Sequence, residues 1–111
     1  MLLAAVALHP NEAPLYETKQ ALDEAIVEIA ELATQPRVRA IGETGLDYFR
    51  TTSDHHLLLQ QDSFEQHIEI AKNNNLALQI HDREAHQSVV DTLKRVGQPE
   101  KVVLHLSLIH I

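Results

Sequence analysis

The chain has 111 residues, a length that fits one domain, and its 44% hydrophobic and 23% charged residues are typical of a globular protein. Because cysteine is absent, a disulfide framework, a thiolate metal site and a cysteine nucleophile are excluded. The formal charge of −7 argues against a broad basic groove for nucleic acid, but it permits a phosphate substrate whose charge metal ions offset.

Short apolar segments alternate along the chain with longer amphipathic ones. The first apolar run, residues 2–8, predicts a strand buried on both faces, and it is too short to cross a membrane. A loop over 11–14 follows it. The remaining predicted elements are a helix over 17–33, a strand over 38–43, a helix from residue 53 or 54 to residues 73–75, a strand over 76–81, a helix over 82–96 and a strand over 101–105.

The resulting order, βα-βα-βα-β, predicts an α/β fold of parallel strands with helices outside the sheet. Two architectures have this order, an open doubly wound sheet and a (β/α)8 TIM barrel. A complete barrel needs about 200–250 residues. If the fold is a barrel, this chain therefore holds about half of it.

Three predicted strands end in a residue that can bind a metal ion, namely Glu43, His81 and His105. Because the carboxyl ends of parallel strands lie at one rim of the sheet, we expect these side chains to converge. Two imidazoles and a carboxylate suit zinc, manganese or a similar divalent ion. The alternative is that each is an ordinary hydrogen-bonded residue at the end of its strand.

Other polar residues have weaker signals. His9 follows the first strand and is either a substrate contact at the same rim or a loop residue. Arg83 follows the third strand, where its guanidinium could hold a phosphate or pair with a surface carboxylate. His67 and His86 fall within predicted helices, and we expect both to be exposed.

Five segments together resemble the motifs of the TatD family of metal-dependent hydrolases. Residues 40–48, Ala-Ile-Gly-Glu-Thr-Gly-Leu-Asp-Tyr, are similar to that family's Gly-Glu-x-Gly-Leu-Asp-Tyr segment. The others are similar to its Gly-x-His-Pro turn, its Gln-x-x-x-Phe helix, its His-x-Arg-Glu-Ala motif and its strand that ends in His, and they lie at residues 8–10, 60–64, 80–85 and 103–105.

This resemblance implies a barrel hydrolase that uses two divalent ions, Mg, Mn or Zn, to cleave DNA phosphodiester bonds. Glu43 would be the catalytic residue that bridges both ions, and His81 and His105 would complete the shell of one of them. Arg83 would approach the substrate phosphate, and from its position at the rim we expect His9 to contact the substrate as well. The expected partner is single-stranded DNA at its 3′ end, with no membrane, and the expected location is the cytoplasm.

The sequence also departs from the family pattern. The family's His-x-His pair would precede residue 1, and its late Asp would follow Ile111. After His105 the family continues Cys-Phe-Ser-Gly, whereas residues 106–111 differ. We therefore expect residues 1–105 to be an internal fragment of the barrel that is inactive alone and has at most one well-liganded metal site, and residues 106–111 to be a non-native tail.

Two other functions also fit the sequence. An amidohydrolase-like enzyme that cleaves C–N or C–O bonds of small molecules would use similar ligands at strand ends. A non-enzymatic α/β module that binds a partner would bind no metal and would fold stably without further strands.

Overall fold

The computed structural model describes residues 3–106, and it describes side chains up to residue 104. The strands and helices are β1 (Ala4–Val6), α1 (Lys19–Leu32), β2 (Val38–Asp47), α2 (Asp54–Asn73), β3 (Ala77–Arg83), α3 (His86–Val96) and β4 (Val102–Leu106). A short 3-10 helix, Ala13–Tyr16, follows β1, partly where the sequence predicts a loop. Pro14 suits its first turn, because a helix has no internal acceptor for the N–H groups at that point.

The four strands form one parallel sheet in the order β1-β2-β3-β4. A doubly wound sheet reverses its strand order at a switch point, whereas the described residues contain no such reversal. Right-handed crossovers between strands in this order place the helices on one face of the sheet, and α2 packs against both α1 and α3. This is the arrangement of a barrel segment.

The core lies between the helices and the sheet. Apolar side chains at helical spacing on α1 are buried as predicted, including Leu22, Ile26 and Ile29. Phe64 and Ile68 of α2 are fully buried, as are residues of β2 and β3 that face them from the sheet. Burial of such side chains stabilises each by roughly 1.5–3 kcal/mol relative to leaving it exposed.

The strands differ from the predicted ones in two ways. The first strand was predicted to be buried on both faces, but Ala4 and Ala5 are exposed, and in the described part of the chain β1 pairs only with β2. The helix predicted to begin at Asp82 begins at His86, because Asp82 and Arg83 continue β3. They pair there with an extension of β2 beyond the predicted end at residue 43.

The predicted non-native tail, 106–111, stays a prediction. Its first residue ends β4, and residues 107–111 lie outside the part of the chain that the structure describes. Within residues 3–106, no helix combines the length and the apolar composition that crossing a bilayer would require.

Candidate metal centre

Three polar side chains meet near the carboxyl ends of the strands. Glu43 lies on β2, His81 lies on β3, and His9 lies in the turn that follows β1. Glu43 Oε1 is 3.7 Å from His9 Nε2 and 3.7 Å from His81 Nδ1. One ligand atom from each of the three lies within 4.8 Å of the other two, so the cluster has the dimensions of a metal site.

The spacing of Glu43 and His81 fits a single divalent ion. Two ligand atoms about 2.1 Å from a tetrahedral zinc ion lie about 3.4 Å apart, and the observed separation is 3.7 Å. Both side chains are partly exposed, at 30% and 14%, so an ion can enter from solvent. A carboxylate and an imidazole are also the donor types that zinc and manganese accept.

Asp47 fixes which nitrogen of His81 is available to an ion. His81 Nε2 lies 3.0 Å from Asp47 Oδ2, and because a carboxylate only accepts hydrogen bonds, Nε2 carries the proton and donates it. The lone pair of the neutral ring is then on Nδ1, the nitrogen that faces Glu43. Metal-binding histidines are commonly oriented by a carboxylate in this way.

His9 has the opposite tautomer. The backbone N–H of Asn11 donates to His9 Nδ1 at 3.2 Å, so the proton of the neutral ring is on Nε2, the nitrogen that faces Glu43. Burial lowers the pKa of His9 and the nearby His81 lowers it further, while Glu43 raises it, with a net decrease. In this arrangement His9 Nε2 is a hydrogen-bond donor rather than a metal ligand.

Asp47 is itself held by four hydrogen bonds. Its Oδ1 accepts from the backbone N–H groups of Phe49 and Arg50, and its Oδ2 accepts from Asn11 Nδ2 and His81. Burial alone would raise the pKa of Asp47, but the bonds from Arg50, Asn11 and His81 outweigh burial and lower it below its usual value. The residue is therefore a fixed anion that connects the turn after β1 to β3.

Gly45 allows β2 and β3 to approach closely beside His81. Its φ is +148°, and a Cβ there would collide with the carbonyl group of His81, its partner in the strand register. Glycine is thus required at a point where the backbone of one candidate ligand is set.

Two further predicted site residues lie on the neighbouring strand ends. His105 is opposite His81 in the register of β4, but its side chain lies outside the described part of the structure. Arg83 is opposite Asp47 and is buried, with its Cζ 3.9 Å from the centre of the Phe49 ring. Its Nε has no hydrogen-bond acceptor among the described residues.

Sequence reasoning missed the residues that support the site. It assigned no role to Asp47, Asn11 or Gln60, and it was wrong about His67, which is fully buried instead of exposed. The periodicity of α2 does not reveal that both ring nitrogens of His67 have hydrogen-bond partners in the core. The prediction for His86 is confirmed, since its side chain is 61% exposed.

Comparison with known proteins relates the chain to one family. The family model described as TatD related DNase matches residues 1–107. The uncharacterized metal-dependent hydrolase TatD of Mycobacterium tuberculosis is 39% identical over 105 residues, which are 92% of this chain and 38% of that protein. The 3′-5′ ssDNA/RNA exonuclease TatD of Escherichia coli is 34% identical over 91 residues, which are 82% of this chain and 32% of that protein.

Solved structures agree with these relatives. The crystal structure of YjjV, a TatD homolog from Escherichia coli, superimposes with a TM-score of 0.73 at 30% identity, over 94% of this chain and 38% of that one. An uncharacterized amidohydrolase from Saccharomyces cerevisiae superimposes with a TM-score of 0.64 at 25% identity, over 85% of this chain and 32% of that one. The predicted partial barrel is confirmed. The chain spans 32–38% of the length of all these proteins.

Proposed function

The chain belongs to the TatD family of DNase-related, metal-dependent hydrolases, and we propose that it forms part of an enzyme that hydrolyses phosphodiester bonds of DNA. The observation that carries the proposal is the position of the Glu43 carboxylate, 3.7 Å from His81 Nδ1 at the carboxyl ends of two adjacent parallel strands. Asp47 leaves that nitrogen without a proton. The chain thus presents an anionic and a neutral ligand to the same ion.

Each residue has a distinct role in this proposal. Glu43, His81 and His105, which is opposite His81 in the register, would hold the ion, with Glu43 as the anionic ligand and His81 as a neutral one. A second ion would share Glu43. His9 donates from Nε2 to a substrate phosphate oxygen. Arg83, whose guanidinium lies against the Phe49 ring, would contribute positive charge beside the same group.

A divalent ion bound here would supply a water of lowered pKa and positive charge for the developing phosphate anion. The residues of the chain prepare for that chemistry. Asp47 keeps His81 in the metal-binding tautomer, and the Asn11 amide keeps the proton of His9 on the side of the substrate. If two ions, Mg, Mn or Zn, are bound as the family resemblance implies, Glu43 would be the ligand that they share.

The proposed substrate is single-stranded DNA, which the enzyme would cleave from its 3′ end. Support comes from the relative in Escherichia coli, which is named as a 3′-5′ exonuclease of single-stranded DNA and RNA. The net charge of −7 disfavours a long electrostatic groove and favours local capture of one phosphate by bound ions, His9 and Arg83. Because the chain spans about a third of these relatives, we propose that it binds an ion without turning over DNA by itself.

Titration of the chain with Mn²⁺ or Zn²⁺ tests the metal site. Glu43→Gln removes the anionic ligand and should weaken binding by at least tenfold. Glu69→Gln is the matched control, because Glu69 is an exposed residue of α2 whose carboxylate pairs with Lys72. Equal affinities for wild type and Glu43→Gln, measured by isothermal titration calorimetry, would reject the site.

A second candidate function is hydrolysis of C–N or C–O bonds in small molecules. The structural similarity to a yeast protein named as an amidohydrolase favours it. The two functions separate in turnover assays of the whole protein, with a 3′-labelled single-stranded oligonucleotide and with small amides or lactones as substrates. Release of mononucleotides supports the nuclease, whereas turnover of amides or lactones alone supports the amidohydrolase.

A further inference from the structure

Helix α2 buries three polar side chains, Gln60, Ser63 and His67, and two of them bond to the backbone around the candidate metal centre. Gln60 and His67 are both fully buried, although the rest of this helix face is largely apolar. They lie seven residues apart, about two helical turns, and so occupy the same face of α2. Buried polar groups are costly unless they form hydrogen bonds, so the partners of these two residues indicate what they do.

His67 bonds to the backbone just before His9. Its Nδ1 is 2.6 Å from the carbonyl oxygen of Ser63, and a carbonyl only accepts, so Nδ1 carries the proton. Its Nε2 is then an acceptor, and it receives the backbone N–H of Leu8 at 3.0 Å. The two residues are 59 positions apart in the chain, so this bond connects α2 directly to the turn after β1.

Gln60 bonds to the backbone just after His9 and also to Asp47. Its Nε2 donates to the carbonyl of Pro10 at 3.1 Å and to Thr51 Oγ1 at 3.1 Å. Its Oε1 accepts the backbone N–H of Asp47 at 2.9 Å. One amide group therefore connects the turn that holds His9 to the residue that orients His81.

We propose that Gln60 and His67 are positioning residues for the metal centre: together they hold the peptide groups on both sides of His9, and Gln60 also fixes Asp47 and through it His81. The inference rests on the proposed function, because it assigns these bonds to the same site. Neither residue touches an ion or the substrate in this proposal. Each acts through the backbone of the turn or through Asp47.

The alternative is that both residues only stabilise the core. Apolar side chains of similar volume can replace a buried polar group with little loss of stability when the partners also become apolar, but here the partners are backbone groups that cannot be removed. The bonds therefore select one position of the turn. A purely structural role would change the free energy of unfolding without changing the position of His9 or the metal affinity of the folded protein.

The test compares two variants that lose these bonds with a control that loses only packing. Gln60→Met and His67→Phe keep volume and remove the hydrogen bonds, whereas Ile68→Ala opens a cavity in the same helix. His67→Gln restores an acceptor near the Leu8 amide and should rescue the loss. All are compared as the 111-residue chain under conditions where urea titration shows more than nine-tenths of each to be folded.

Hydrogen exchange in the metal-free chain gives the first readout. The Asn11 amide donates to His9 Nδ1, so its protection reports whether the His9 ring is in place. We expect exchange at Leu8 and Asn11 to accelerate at least tenfold in His67→Phe, to return towards wild type in His67→Gln, and to stay within twofold of wild type in Ile68→Ala. Equal acceleration in Ile68→Ala, or none in His67→Phe, would overturn the assignment of His67.

Titration with Co²⁺ alone, followed by its visible absorption, gives the second readout. Loss of an outer partner of a ligand weakens metal binding by about 10- to 100-fold, so Gln60→Met should raise the Kd for Co²⁺ by at least tenfold, and Ile68→Ala should leave it unchanged. Unchanged affinity and spectrum in Gln60→Met would overturn its role. A wild-type chain that binds no Co²⁺ would reject the proposed metal centre, and the exchange rates would then decide whether the residues hold the turn.

Discussion

At the scale of single residues, the tautomer of His81 decides whether the site can bind an ion. In Asp47→Asn, the new side-chain oxygen can still accept from the backbone N–H groups of Phe49 and Arg50. The new NH₂ group then takes the place of Oδ2 and points toward His81 Nε2. His81 would then accept at Nε2 and carry its proton on Nδ1, the nitrogen that faces Glu43. We expect Mn²⁺ or Zn²⁺ affinity to fall by about 10- to 100-fold, measured by calorimetry.

Asp91→Asn provides the control for this change. Asp91 is an exposed residue of α3 whose Oδ1 accepts a bond from Gln87, so the same chemical change occurs away from the site. Its affinity should equal that of wild type. An Asp47→Asn chain that binds as tightly as the control would show that the carboxylate does not set the state of His81.

A backbone requirement at Gly45 gives a second prediction at this scale. In Gly45→Ala the new Cβ collides with the carbonyl group of His81 at a φ that suits glycine. We therefore expect the free energy of unfolding to fall by about 1–3 kcal/mol and the metal affinity to fall as well. Gly97→Ala is the control, because its φ is also positive but the nearest atom is the mobile Lys72 Nζ at 3.4 Å. Denaturant titration that shows equal losses would contradict the close approach of β2 and β3.

At the scale of elements, helix α2 makes stability depend on pH through His67. Burial lowers the pKa of His67 below its usual value of about 6.5, an effect that its bond to Ser63 only partly offsets. Below pH 6.5 the unfolded chain therefore binds a proton that the folded chain does not. The free energy of unfolding therefore keeps its full value above pH 6.5. It decreases as the pH falls from 6.5 towards the lowered pKa of His67, by at most about 1.4 kcal/mol per pH unit.

His67→Gln removes this titration and retains a hydrogen-bond acceptor. We expect its free energy of unfolding, from urea titrations between pH 7.5 and 5, to fall less steeply with acidification than that of wild type. Ile68→Ala serves as the control, because it removes packing in the same helix but no titratable group, and it should follow the wild-type slope. A His67→Gln chain with the wild-type slope would mean that His67 titrates normally in the folded state.

The elements also show how far the sequence alone could predict this site. Glu43 and His81 could be found from the sequence, because alternating apolar and amphipathic segments indicate parallel strands. The carboxyl ends of such strands lie at one rim of the sheet. The bond between Asp47 and His81 could not be found, because it requires β2 to continue four residues past its apolar part. That extension depends on pairing with β3, which is not a local property of residues 44–47.

The role of α2 was missed for a related reason. The spacing of His67 from Phe64 and Ala71 puts it on the apolar face of α2, but we expected this polar residue to be exposed. The residue is buried because the Leu8 amide and the Ser63 carbonyl satisfy its ring nitrogens. Such compensation depends on a partner 59 residues away, so no local pattern encodes it.

At the scale of the whole molecule, the sheet leaves apolar side chains on its outer strand. In β4, Val103 is 57% exposed and Leu104 is 40% exposed, and within the described residues β4 pairs only with β3. Such a strand offers unpaired backbone groups together with apolar surface, a combination that favours association with a second chain. We therefore expect the isolated chain to self-associate as its concentration rises.

A charge on that strand should suppress the association. Val103→Lys places an ammonium group at the open edge, and natural proteins use lysine on edge strands for this purpose. Val27→Lys is a closely matched control, since Val27 is 55% exposed but lies on α1, whose backbone groups are already bonded within the helix. Sedimentation velocity over a range of concentrations should show self-association in wild type and Val27→Lys, and less of it in Val103→Lys. If both variants reduced association equally, association would depend on scattered apolar surface or net charge and not on the edge of β4. If the wild-type chain were monomeric at all concentrations, the prediction of self-association would be wrong.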